Sequence, residues 1–135
     1  MYCGAGNSGP ARGVVGVGVE YRVTFYRTAN GDKPLGAWVN ELKQQQPILA
    51  DLVRAGLDKL RDGAQHRPKL VELVDRNRRI YEMRVGNANI ARVFFFREGD
   101  QVIATNGYVK RRNQLDQGEL ERARRYQDEW KERNP

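Results

Sequence analysis

Arginine and lysine gather in this chain where its residues are most β-prone. Three short runs, Arg79 to Val85, Ala91 to Arg97 and Gln101 to Arg112, are rich in β-branched and aromatic residues. Gly86-Asn-Ala-Asn89 and Glu98-Gly-Asp100 lie between them with the chemistry of tight turns, which predicts an antiparallel meander. Strand alternation puts Ile80, Glu82 and Arg84 on one face of the first run and Tyr81, Met83 and Val85 on the other. In the second run Arg92, Phe94 and Phe96 oppose Val93 and Phe95. If helices cover the side of Met83, Val85, Val93 and Phe95, the other side carries Arg84 and Arg92 among exposed aromatic rings. Such a surface suits single-stranded nucleic acid, with phosphates held by guanidinium groups and bases stacked on rings. The same spacing also fits two surface arginines paired with Glu82 and Glu98.

The charge is concentrated in this region. From Arg67 to Arg112 there are eleven Lys and Arg against five Asp and Glu, an excess of +6 in a chain whose net charge is +7. A pI near 9.9 favours a polyanionic partner, although an acidic protein surface satisfies the same charge. With 135 residues, 39% of them apolar, the chain has material for one modest core, expected over residues 19–135. Residues 1–18, rich in glycine, are expected to form a flexible tail. Gly4-Ala-Gly-Asn-Ser-Gly9 matches the dinucleotide pattern G-x-G-x-x-G. It lacks the preceding strand and following helix that the motif needs, and is a coincidence of composition. Cys3 is the only cysteine, which excludes an intramolecular disulfide and a cysteine zinc site; no metal or cofactor is expected. No apolar run approaches the roughly 20 residues of a membrane span, and a cytoplasmic protein is expected.

The elements that position the meander are legible from period. Glu20 to Arg27 alternates as a first strand. Asp32 is the expected N-cap of a helix carrying Leu35, Trp38, Val39 and Leu42 at helical spacing as far as about Gln46. Pro47 opens a second helix striped by Leu49, Leu52, Val53, Leu57 and Leu60, with Gly63 as its C-cap. Trp38 falls in the stripe and reads as core rather than as a stacking platform. Pro68 to Arg78 reads as a lead-in to the meander. His66, the only histidine, reads as a solvated loop residue. Asp116 and Glu119 form a capping-box pattern for a last helix to about Arg133, striped by Leu120, Ala123, Tyr126 and Trp130. Glu121 with Arg125, and Glu129 with Arg133, are i,i+4 pairs on its outer side.

The expected architecture is therefore α+β: a small antiparallel sheet of about four strands, two N-terminal helices packed on it, and a C-terminal helix. This order, with Phe25-Tyr-Arg-Thr28, Lys33-Pro34, Ile80-Tyr-Glu-Met-Arg84, Ala91-Arg-Val-Phe-Phe-Phe96, Gly107-Tyr-Val-Lys-Arg-Arg112 and Glu119-Leu-Glu-Arg-Ala123, resembles the RelE/ParE superfamily of toxin–antitoxin toxins. Within it the chain is most similar to the HigB-like, phage-derived branch.

The resemblance implies a metal-independent endoribonuclease that cuts mRNA, usually in the ribosomal A site, through attack of the substrate 2′-hydroxyl on the adjacent phosphodiester. It implies a cognate antitoxin of helix-turn-helix type as partner. Arg84 and Arg92 match basic positions of the family's first two meander strands, and Lys110 and Arg111 match its basic pair. On that likeness Arg84, Arg92 and Arg111 are assigned to phosphate and transition-state charge, Lys110 to proton transfer, and Glu82 to a second candidate base. Lys69, Tyr108, Arg112 and Phe94 complete the expected RNA-binding set. Two features depart from the family. Asn113-Gln-Leu-Asp-Gln117 stands where some RelE members carry a catalytic tyrosine, and His66 is alone where some HigB members have several histidines. The alternatives are a ParE-like toxin that poisons DNA gyrase, and a member that only binds its antitoxin.

Overall fold

The computed structural model describes residues 18–111 and 115–135. The expected tail, apart from Gly18, lies outside the described residues, as do Arg112, Asn113 and Gln114. The elements run β1 (Arg22–Phe25), α1 (Pro34–Gln45), α2 (Pro47–Lys59), β2 (Val71–Asp75), β3 (Ile80–Val85), β4 (Ala91–Glu98), β5 (Gln101–Val109) and α3 (Gln117–Arg133), with short 3₁₀ turns at Gly63–Gln65 and Asn87–Asn89. The fold is α+β. Its sheet is mixed, with five strands in the order β1-β5-β4-β3-β2.

Two details of that sheet differ from expectation. Val71–Asp75 is a strand rather than a lead-in, pairing antiparallel with β3 at one edge. Its short sequence, Val-Glu-Leu-Val-Asp, has two carboxylates in five residues, and pairing with β3 rather than local propensity makes it a strand. β1 joins the opposite edge parallel to β5, in register Arg22 with Gln101 through Phe25 with Ala104.

Each face of the sheet is covered. Met83, Val93, Phe95, Val102 and Ala104 pack under Leu35, Val39 and Leu42 of α1 and Leu49, Ala50, Val53 and Leu57 of α2, as the alternation predicts. The other face is not open. Leu120 and Ala123 of α3 cover Ile80, Phe94 and Tyr108, while Tyr126 and Trp130 cover Tyr26, Phe96 and Ile103. The expected exposed aromatics are therefore core, and β4 is buried without a break from Ala91 to Phe96. Trp130 meets Phe96 edge to face at 5.5 Å.

Helix ends follow tertiary bonds more than local signals. The N-cap of α1 is Lys33 and not Asp32. Asp32 is tied into a turn with Thr28 by its own N–H and C=O, and Pro34 takes the first helical position. α2 stops at Lys59 rather than continuing to Gly63, because the Gly63 N–H donates to the Val19 carbonyl instead of to its own helix. Asp116 does cap α3, accepting from the Glu119 N–H at 3.1 Å. The expected outer-face pairs of α3 are replaced. Arg124 pairs with Glu121 and Asp75, Glu129 accepts from the Tyr26 hydroxyl, and Arg133 donates to the Arg27 carbonyl. Arg78, in the β2–β3 turn, adds a further anchor by bonding Asp128 and Gln127.

Candidate functional site

Arg84, Arg92 and Tyr108 stand side by side on β3, β4 and β5, as register partners across three adjacent strands. Tyr108 reaches this face through a bulge. Between the pairs Val93–Gly107 and Phe95–Ala104, β4 contributes one residue and β5 contributes Thr105 and Asn106. One extra residue reverses the side on which every later side chain points. Ile103 and Tyr108 thus both lie under α3, five positions apart, where simple alternation would oppose them.

Two residues before Arg84, on the same face, Glu82 is fully enclosed. Its Oε1 accepts from Arg92 Nη1 at 2.6 Å and from Arg84 Nε at 3.0 Å, and its Oε2 accepts from the Tyr108 hydroxyl at 2.8 Å. A buried carboxylate is tolerated when its lone pairs are met in this way. Burial first, then the bond to Glu82, push the Tyr108 phenol well above its ordinary pKa, so it stays a proton donor. Arg92 also donates from Nε to the Asn89 carbonyl at 2.6 Å. That carbonyl is presented by a turn in which Gly86, Ala88 and Asn89 all have positive φ. For Ala88 this backbone is costly and is held by its surroundings.

Arg84 is more open than Arg92, with its side chain 26% exposed against 8%, and Glu72 lies 3.5 Å from its Nη1. Two guanidinium groups and two carboxylates make this cluster neutral as a whole. Glu82, having no exposed surface, acts here by orienting Arg84 and Arg92 and cannot reach a substrate as it stands.

The other sequence-predicted residues separate. Lys110 is half-buried at the end of the row, its N–H on the Ile90 carbonyl at 2.6 Å, and Arg111 beside it is exposed. Lys69 is exposed next to Leu70, whose carbonyl accepts the Arg84 N–H. Phe94 offers no surface to a base: it is completely buried, with its ring 5.6 Å from that of Tyr108. Arg112 lies outside the described residues.

Next to Tyr108 the sheet opens into a cleft of about 930 Å³ between α1 and the start of α3. Trp38, Glu41 and Gln45 form one wall, Gly107 and Tyr108 the floor, and Gln117 and Arg122 the other wall. Trp38 is thus a core residue with one side on a cleft. Sequence periodicity assigned it to the core stripe, and only the absence of a side chain at Gly107 hinted at anything laid against β5.

Residues 39–128 match the family model described as phage derived protein Gp49-like (DUF891). The chain belongs to this family. The Gp49-like family is part of the RelE/HigB-like toxin superfamily, in agreement with the resemblance read from the sequence. No curated protein matches the chain. The matched segment contains Glu82, Arg84, Arg92, Tyr108, Lys110 and Arg111, and it starts one residue after Trp38. No helix among the described residues of this Gp49-like chain is long and apolar enough to cross a membrane, and those residues hold no cluster of three or more His, Cys, Asp or Glu able to bind a metal ion.

A second polar cluster lies on the face covered by α1 and α2, and it corrects the expectation for His66. The imidazole is half-buried, stacked on Tyr21 at 4.8 Å and edge-on to Phe95. Nε2 lies 2.8 Å from the Leu60 carbonyl and so carries the proton, which leaves Nδ1 to accept from Arg97 at 3.3 Å. Arg97 in turn lies over the Tyr81 ring, 4.3 Å from its centroid.

Proposed function

We propose that this Gp49-like chain is the toxin of a type II toxin–antitoxin pair and a metal-independent endoribonuclease acting on translated, ribosome-bound mRNA in the cytoplasm. A cognate antitoxin of helix-turn-helix type holds it inactive. The observation that supports this reading best is the row Arg84–Arg92–Tyr108 on adjacent strands, with Lys110 and Arg111 leaving β5 from the same end. In this reading the substrate 2′-hydroxyl attacks the neighbouring phosphorus and the 5′-oxygen leaves, giving a 2′,3′-cyclic phosphate. Arg84 and Arg111, the more accessible cations, face the developing phosphorane, and Lys110 transfers a proton. Arg92 and Glu82 are positioning residues, since enclosure keeps both from the phosphate.

The neutrality of the Arg84, Arg92, Glu82 and Glu72 group favours a second reading. A cluster satisfied internally serves equally in a ParE-like gyrase poison, which has no phosphate to grip. Induced expression separates the two. The nuclease reading expects arrested translation with mRNA cut at mapped positions. Damaged DNA with intact mRNA overturns it in favour of gyrase, and normal growth indicates a chain that only binds its antitoxin.

A further inference from the structure

The cleft beside Tyr108 shares Arg111 with the chemistry described so far, but its Trp38 and Glu41 wall has no part in it. We infer that it seats one nucleobase of the RNA strand and selects bases bearing an exocyclic amino group over uracil. The inference rests on the RNA-binding part of the reading above.

Its volume, about 930 Å³, lies in the range of ligand sites. Its wall has a flat aromatic surface because Gly107 lets one in. A Cβ at Gly107 would fall 2.6 Å from Cζ3 of Trp38, so the indole rests against bare backbone. A base of any kind stacks on such a ring. Selectivity comes from Glu41 on the same helix, one turn beyond Trp38 and on the same wall. Asp116 and Glu119 also border the cleft, but Asp116 caps α3 and Glu119 accepts from Asn106. Glu41 is exposed and has no hydrogen-bond or ion-pair partner among the described residues.

A carboxylate only accepts. Adenine, cytosine and guanine offer it amino protons, whereas uracil flanks its single N–H with two carbonyl oxygens that repel it. Arg111 at the cleft supplies a phosphate contact. Tyr108, on the cleft floor, is the register partner of Arg92, so the seated base lies at the Tyr108 end of the Arg84–Arg92–Tyr108 row. An acidic notch on a basic protein would also accept a cationic side chain from a protein partner. The flat wall and the amides of Gln45 and Gln117 favour a base instead.

Tryptophan emission of the full chain, titrated with short oligo(A), oligo(C) and oligo(U), tests this without requiring cleavage. Saturable quenching by oligo(A) and oligo(C) is expected, about tenfold tighter than by oligo(U). Glu41→Gln should collapse that ratio while keeping the quenching, and Trp38→Phe should remove most of the quenching. The absence of a saturable response, or a base ratio that Glu41→Gln leaves unchanged, overturns the inference. Silence toward all three oligonucleotides, combined with weaker antitoxin binding by Glu41→Gln, overturns it in favour of a protein-docking notch. Selective binding by a chain that cuts no RNA overturns the nuclease reading alone.

Discussion

Arg92 and Glu82 meet inside the protein at 2.6 Å, an arginine side chain 8% exposed against a carboxylate with no exposure at all. The pair lies on the face of the sheet that α3 covers in part, where Tyr108 and Arg84 complete the shell of the carboxylate. Its role in the folded state is that of an internal counter-ion, which fixes where Arg84 ends and the open surface begins.

Removing one side of such a pair leaves the other charged and unpartnered. Glu82→Ala should destabilise the protein by about 3–5 kcal/mol, because the enclosed Arg92 guanidinium loses its anion while the more open Arg84 keeps Glu72. Tyr108→Phe, which costs Glu82 one donor, should lose about 1–3 kcal/mol. Urea unfolding followed by far-UV circular dichroism measures both. A Glu82→Ala chain as stable as wild type would mean that the pair is hydrated in solution.

Gly107 is required by contact and not by backbone angle. Gly107→Ala would set a methyl 2.6–2.7 Å from the Trp38 ring and 3.0 Å from the Arg92 carbonyl. A cost of about 1–3 kcal/mol is expected from overpacking. Trp38→Leu in the same chain should recover part of that cost, because the two changes share a contact. Simple additivity in a double-mutant cycle would show that the strand backbone, not the indole, takes the strain.

The His66 imidazole is held below its ordinary value of 6.5, first by burial and further by the Arg97 charge, against the opposing bond to Leu60. Asp62 raises it slightly. The unfolded chain therefore takes up this proton more readily than the folded one. Stability attributable to His66 should be complete above about pH 6.5 and should fall as the pH drops below it toward the folded value. Urea midpoints measured from about pH 8 down to about 5 should show this decline in wild type and a shallower one in His66→Gln. Equal slopes would remove His66 as the cause.

Exposed cations should matter for RNA in a different way from buried ones. Arg111→Ala should leave the fold unchanged, weaken oligonucleotide binding across all sequences and lower the salt slope of log K by about 1. Arg84→Ala should abolish toxicity on induction while circular dichroism stays native. Full toxicity of both variants would move the site away from this end of the sheet.

The amino-acid sequence by itself determined the α+β class, the stripes of α1 and α2, the face of β3 and β4 that meets them, and the segment that holds the basic charge. Those features follow from local period and composition, which a single strand or helix carries within itself. Pairing decided the rest. Val71–Asp75 became a strand only beside β3, the strand bulge at Thr105 and Asn106 turned Tyr108 toward Glu82, and α3 closed over Phe94 and Phe96. Strand pairing, which brings Arg92 and Tyr108 beside Glu82, decided that Arg84 and Arg92 face a carboxylate. Alternation names the side on which a residue points, but the element that lies on that side comes from elsewhere in the chain and sets how deeply the residue is buried.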